Sequence, residues 1–403
     1  MKQYENLLNK FKKIDLVILA GGKGTRIKEK LKSLPKPMVK FQKRDFLQYV
    51  LNSYSKFPFR KIYILTGYRS KFIFKKYHNK EINFIKIECL KEEKLLGTGG
   101  SLFKLKNKLN DFILTNGDSL FEIDLSRLIN SCRNNAYGSI ALTKNINQGS
   151  RKLNRLNLKK NKVIINQSGK LMNGGVYFFK RKIFRFIENK FMSLENDILK
   201  KLLDEGKING IFSNTLFHDI GTKKFFYKTN ELINKKLTRP AAFLDRDGVI
   251  NFDKKYIFKM NDFQLRKGVI KGIKLLQKKN FYLFIVTNQA GIAKKKFTES
   301  KFKKFSLDIK YFFFKKKIFF NDVEYCPYHK NALVKKYKKD SQLRKPGNLM
   351  IKKIFNKWPI DKKKSFFIGD QITDFKCAKK SNLYFEYAEK NFYDQIKNLI
   401  NNY

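Results

Sequence analysis

Six short apolar runs constrain this chain more than any other feature: DLVILAGG, KIYILTGY and DFILTNGD in the first half, AAFLDRDG, FYLFIVTNQ and SFFIGD in the second. A run that is apolar without alternation is the pattern of a strand buried on both faces of a parallel sheet. Open sheets of that kind bind their ligands at the C-terminal ends of the strands, where these runs turn polar. Lysine-rich amphipathic stretches of helical length, such as residues 46–57 and 269–279, lie between them. The pattern predicts an α/β chain with two Rossmann-like three-layer domains in tandem, and 403 residues suffice for two cores. The first series of motifs stops at HDIGT, residues 218–222, and a polar helix-like connector leads to Arg239-Pro240. A proline opening a fresh strand places the boundary at 238, giving domains over 1–238 and 239–403.

The residues closing these runs suit phosphate chemistry. In GGKGTR, residues 21–26, the small Gly21, Gly22 and Gly24 let backbone amides approach phosphate oxygens, while Lys23 and Arg26 add positive charge. The spacing is neither that of a Walker loop nor that of the dinucleotide fingerprint. Prolines on both sides of Lys36 in PKPMV fix its backbone. In FLDRDGVIN, Asp245 and Asp247 stand two apart at a strand end, where one carboxylate can attack and the other can move protons.

The ordered set LAGGKGTR, PKPMV, LLGTGGSL, TNGDSLF, NGGVYFF, MSLEND and FHDIGT resembles the sugar nucleotidyltransferase family over residues 14–228. It is most similar to the branch that activates D-glycero-D-manno-heptose 1-phosphate with a guanine nucleotide. The resemblance implies that Arg26 and the amides of Gly21, Gly22 and Gly24 hold the nucleoside triphosphate and that Lys36 contacts the reacting phosphates. It also implies that Asp118 and Asp219 share Mg²⁺, that Gly97, Thr98 and Gly99 line the base pocket, and that Asn173, Gly174 and Glu195 hold the sugar. Glu92 and Glu93 precede the base-pocket segment, where a carboxylate can accept from the amide and amino groups of guanine, and two solvated surface acids account for the pair equally well. In the implied reaction an oxygen of the sugar phosphate attacks the α-phosphorus and pyrophosphate leaves, so alignment and charge neutralisation do the work.

The second series, DRDGVIN, VTNQAGIA, RKPG and IGDQITD, resembles the haloacid dehalogenase superfamily over residues 240–390. It is similar to the subgroup containing heptose bisphosphate phosphatases and histidinol phosphatases. The resemblance makes Asp245 the nucleophile and Asp247 the acid and base, and gives the phosphoryl oxygens to Thr287 and Lys345. Asn288 and Arg344 bind substrate, and Mg²⁺ sits on Asp245, the Asp247 carbonyl and Asp370. Asp374 orients Lys345 or the metal shell. The intervals between motifs leave no room for a large cap. Members often carry a zinc loop that starts Cys-Pro-His-His and ends Cys-x-Cys; here it reads Cys326-Pro327-Tyr328-His329 and Ser341-Gln342-Leu343, which implies a loop without metal.

Together these readings predict a two-enzyme chain acting on phosphorylated heptose, with the same chemistries on another sugar, or a histidinol-phosphate-type phosphatase, as enzymatic alternatives. A formal net charge of +55 raises a rival from another class, a basic nucleic-acid binder with degenerate sites. The lysines are spread along the whole chain, whereas a nucleic-acid footprint is clustered, so no nucleic acid is expected as partner. Four scattered cysteines without a CxxC pair, and no apolar run of the roughly 20 residues that span a bilayer, point to a reduced, cytoplasmic protein with no membrane partner. The oligomeric state is not encoded legibly.

Overall fold

The computed structural model describes residues 8–22, 24, 31, 33–144, 155–166 and 168–401. In the first half, β1 (Asp15–Ala20), β2 (Ile62–Thr66) and β4 (Phe112–Asn116) are the three predicted buried runs; β3 (Ile85–Lys91) joins them, and the four pair in parallel in the order β4-β1-β2-β3. β4 is followed by a short β5 (Ser119–Phe121), and the sheet grows on the β4 side through β6 (Gly138–Lys144), β7 (Leu171–Phe179) and β8 (Ile208–Phe212). β7 runs antiparallel to both β4 and β6, while β8 is parallel to β6. Two edge hairpins complete ten strands, built from Leu156–Lys159 with Lys162–Ile165 at one side and from Glu81–Ile82 beside β3 at the other. Apart from this sheet, β9 (Phe217–Asp219) pairs antiparallel with β5, Asp219 standing opposite Ser119.

The second half is a five-stranded, wholly parallel sheet. Its strands β10 (Ala241–Leu244), β11 (Tyr282–Asn288), β12 (Asp322–Cys326), β13 (Phe366–Gly369) and β14 (Tyr384–Tyr387) lie in the order β12-β11-β10-β13-β14. β10, which carries Asp245 at its end, is central. Each sheet has apolar clusters on both faces, so both halves are three-layered.

Helices flank the strands as expected: α1 (Phe46–Ser55), α2 (Lys223–Leu232), α3 (Val269–Lys278), α4 (Glu299–Lys315), α5 (Leu349–Lys357) and α6 (Ile372–Lys380). Asp45 starts α1 by accepting from the Gln48 amide at 3.0 Å, satisfying an amide that the helix itself leaves unpaired. The halves meet through exchanged caps. Arg44 donates to the carbonyls of Phe355 and Trp358 (2.6 Å to the latter) at the C-terminus of α5. In return Lys310 of α4 donates at 2.8 Å to the Ser55 carbonyl that ends α1. Each cation meets the negative end of a helix dipole from the other half. Among the described residues, no helix is long and apolar enough to cross a membrane.

Candidate active sites

In the first half, β1 ends at the glycine loop. Gly21 and Gly67 touch: a Cβ on Gly67 would stand 2.9 Å from the Gly21 carbonyl. Space around Gly22 is open, and Gly24 has φ +64, a backbone that favours glycine. Lys23 and Arg26 lie outside the described residues. Prolines 35 and 37 hold Lys36 in a short 3₁₀ turn, and its buried ammonium pairs with the Asp118 carboxylate. Asp118 sits in the turn joining β4 to β5, and pairing of β5 with β9 brings Asp219 alongside; the Asp219 carboxylate accepts from the Gly221 amide at 2.7 Å. A Cβ on Gly221 would come within 2.7 Å of Lys36 Nζ and 2.9 Å of Asp219 Oδ1, so Lys36, Asp118 and Asp219 share one pocket.

The segment carrying Gly97, Thr98 and Gly99 packs on residues 190–195. Gly97 has φ +71, and a Cβ there would meet the Met192 carbonyl at 2.5 Å. Thr98 Oγ1 donates to Glu195 at 3.0 Å and accepts from the Leu194 amide at 2.9 Å, tying that segment to Glu195. At a break in the β6–β7 register, Asn173 donates at 2.6 Å to the buried Tyr177 hydroxyl, and a Cβ on Gly174 would strike the Phe121 ring at 2.4 Å. Glu92 is half-buried beside the glycine loop, 3.1 Å from where a Gly21 Cβ would stand, and burial pushes its carboxyl up. Glu93 is exposed.

In the second half, Lys345 is buried at 2 % exposure and is the electrostatic centre. Its ammonium lies 2.8 Å from Asp245 and 2.6 Å from Asp374, and donates to the Val286 carbonyl at 3.0 Å. Asn288 spends both ends of its amide on the Lys345 backbone, at 3.0 and 3.2 Å, so it serves the site by holding Lys345. Thr287, at the end of β11, is buried and accepts from Gln289 at 2.9 Å. Asp374 is fixed at the first turn of α6 by the Gln371 amide at 3.0 Å. Arg344 buries one guanidinium nitrogen, Nη1, with no hydrogen-bond partner. Burial first, then the carboxylates of Asp374 and Asp247, push Asp245 up to about 7 against the pull of Lys345. Burial opposes the charge on Lys345, but Asp245 and Asp374 outweigh it and hold its pKa up.

Carboxylate oxygens of Asp245, Asp370 and Asp374 gather within 4.8 Å of one another. Three acids face one ammonium, and Asp370 Oδ1 is buried without a partner. Gly248, at φ +83, lets the chain pass so close that a Cβ would stand 2.2 Å from Asp370. Hard oxygen donors with excess negative charge fit a divalent cation. The Asp247 carboxylate is bound by Arg246, Asn251 and Gln289, three partners that sequence reasoning did not single out although they lie inside the DRDGVIN and TNQ motifs.

The zinc-loop segment begins with Cys326 buried, and His329 accepts from the Asn331 amide at 3.1 Å. The loop is closed by Tyr337, whose hydroxyl donates to Glu299 at 2.7 Å; Tyr325 donates to the same carboxylate at 2.6 Å. All four cysteines are free.

A glycine-loop α/β unit followed by an aspartate-centred one agrees with two classes, nucleotidyl transferase and haloacid dehalogenase-type phosphatase, which the family matches give in the same order. The Nucleotidyl transferase family model matches residues 16–152, and the Polynucleotide kinase 3 phosphatase model matches residues 240–397. Among curated relatives, D-glycero-beta-D-manno-heptose-1,7-bisphosphate 7-phosphatase of Rhodopseudomonas palustris is 34% identical over 145 residues, 36% of this chain and 81% of the relative. D-glycero-alpha-D-manno-heptose-1,7-bisphosphate 7-phosphatase of Campylobacter jejuni is 34% identical over 165 residues, 40% of this chain and 91% of the relative. The solved structure of HddC from Yersinia pseudotuberculosis is similar at 27% identity, with a TM-score of 0.46, over 54% of this chain and 98% of that one. Through its second half the chain belongs to the heptose bisphosphate phosphatase family, and its first half carries a nucleotidyl transferase domain.

Proposed function

We propose that this cytoplasmic protein carries out consecutive chemistry on one sugar. Residues 239–403 remove the 7-phosphate of D-glycero-D-manno-heptose 1,7-bisphosphate, and residues 1–238 transfer a nucleotidyl group, GMP from GTP, to the resulting 1-phosphate. One pairing carries the reading: a half whose relatives are heptose 1,7-bisphosphate 7-phosphatases is joined to a nucleotidyl transferase half, and a sugar 1-phosphate, the substrate class the sequence motifs imply for that half, is what such a phosphatase leaves.

In the phosphatase, the Asp245 carboxylate attacks phosphorus while Asp247 gives its proton to the departing sugar oxygen. Water then attacks the aspartyl-phosphate as Asp247 takes a proton back, releasing phosphate and restoring Asp245. Thr287 and Lys345 hold the phosphoryl oxygens, Arg344 grips the rest of the substrate, and Asn288 and Asp374 keep Lys345 in place. In the transferase the amides of Gly21, Gly22 and Gly24, with Arg26, cradle the triphosphate. Lys36 bridges the reacting phosphates, Asn173, Gly174 and Glu195 hold the sugar, and Gly97, Thr98 and Gly99 with Glu92 border the base. Asp245, the Asp247 carbonyl and Asp370 would hold Mg²⁺ in the second half, as Asp118 and Asp219 would in the first, and the ion would neutralise phosphoryl charge at each site.

The test is to incubate the protein with Mg²⁺, each nucleoside triphosphate in turn and either anomer of the bisphosphate, following phosphate and pyrophosphate. Pyrophosphate should appear only after phosphate, and fastest with GTP. Pyrophosphate release without prior phosphate release would contradict the order of the two steps.

A further inference from the structure

Asp247 is held more completely than any other carboxylate of the phosphatase site. Its Oδ1 accepts from Arg246 Nε at 3.1 Å, Arg246 Nη2 at 3.0 Å and Asn251 Nδ2 at 2.9 Å. Its Oδ2 accepts from Arg246 Nη2 at 2.7 Å and Gln289 Nε2 at 3.1 Å. The guanidinium is itself fixed, because Arg246 is only 3 % exposed and donates to the Ile257 carbonyl at 3.2 Å. It also lies over the rings of Phe302 and Phe305 of α4, at 5.7 and 5.2 Å. A planar cation that grips a carboxylate at two points, set against two aromatic rings, dictates direction as well as charge. Burial raises the Asp247 pKa, but Arg246, Asn251 and Gln289 outweigh it and hold the carboxyl below the usual carboxylate range. The backbone of the same residue serves the neighbouring acid, since the Arg246 amide donates to Asp245 Oδ1 at 2.7 Å.

We propose that Arg246 is the positioning residue of the phosphatase. It orients the Asp247 carboxyl group toward the bond that breaks, so that the Asp247 proton passes to the sugar oxygen as the Asp245–phosphorus bond forms and the phosphorus–sugar oxygen bond opens. This rests on the phosphatase reading above. A cation that merely fills the space between β11 and α4 would instead affect every substrate alike.

The leaving group separates the two. A sugar alkoxide needs the Asp247 proton; 4-nitrophenolate leaves without one. In the full chain, Arg246→Met should slow first-turnover phosphate transfer from the heptose bisphosphate by about 100-fold, the scale of general-acid catalysis, while first-turnover 4-nitrophenol release stays within about threefold of wild type. Arg246→Lys, which keeps the charge but not the two-point grip, should recover part of the loss on the sugar substrate only. Should Arg246→Met fail to fold, Phe305→Leu, which removes one of the two rings, carries the same contrast in weaker form. Equal slowing with both substrates, or no slowing with either, would overturn the proposal. A wild type inactive on the heptose bisphosphate would count against the substrate assignment instead, and the contrast would then be read on another alkyl phosphate that it hydrolyses.

Discussion

At the scale of single residues, most of the sequence motifs lie at strand ends, which the sheets bring together, whereas Lys36 stands in a 3₁₀ turn and Lys345 in the loop before α5. Asp245 and Asp374 converge on the Lys345 ammonium from separate segments, and Asp370 joins their carboxylates. Asn288 shows the limit: its place beside Thr287 suggests a substrate contact, yet its amide is consumed by the Lys345 backbone, which only the fold reveals. Gly248 gives a sharp test. A side chain there meets Asp370 at 2.2 Å in a backbone conformation that alanine resists at a cost of order 1–3 kcal/mol. Gly248→Ala should therefore cut phosphatase kcat while nucleotidyl transfer from the 1-phosphate is unaffected, as phosphate and pyrophosphate assays on the same preparation would show. Glu92, half-buried against the glycine loop, bears on the base. If it accepts from guanine, Glu92→Ala should lower GTP turnover by about 10- to 100-fold, the worth of one charged hydrogen bond, with little change in the slower ATP reaction. Equal losses with GTP and ATP would remove it from base selection.

At the scale of elements, the buried parallel strands were legible because continuous apolar runs have few other uses, and β1, β2, β4, β10, β11 and β13 stand where the six runs predict. The antiparallel strands β6 and β7 were not. β7 is interrupted by Asn173-Gly174-Gly175 at a register break, so its sequence reads as a loop motif, and its partners are distant in the chain. The segment after Cys326 is a second case. Where the sequence resemblance places zinc ligands it has Tyr328, Ser341 and Leu343, and tyrosine hydroxyls meet instead on Glu299. Metal analysis of the purified protein should find well under one zinc per chain, and a zinc-selective chelator should spare phosphatase activity that depends on Mg²⁺; one tightly held zinc per chain would contradict this. Replacing Glu299 by alanine should lower unfolding free energy by about 2 kcal/mol, since two hydrogen bonds to a charged group are lost together, measurable by denaturant titration.

At the scale of the whole molecule, sequence gave two series of motifs but not how they meet, because Arg44 and Lys310 read as two surface cations among many until each is seen capping a helix of the other half. Burial holds the Lys310 ammonium down to about 7 from an ordinary 10.5. Between those values the unfolded chain keeps the proton and the folded chain sheds it, so this lysine makes stability rise with pH from about 7 toward 10 and is without effect on the slope below 7. The unfolding free energy of wild type relative to Lys310→Met should follow that course, whereas a difference independent of pH would contradict it. The central claim is that one chain holds two chemically separate sites, the phosphatase of the second half supplying the transferase of the first. Asp245→Asn keeps size and removes the nucleophile, so the most direct measurement gives this variant each substrate in turn. It should release no phosphate from the heptose bisphosphate and yet form nucleotide-sugar and pyrophosphate at the wild-type rate from the 1-phosphate. Loss of both activities in a folded Asp245→Asn chain, or retention of phosphate release, would contradict the claim.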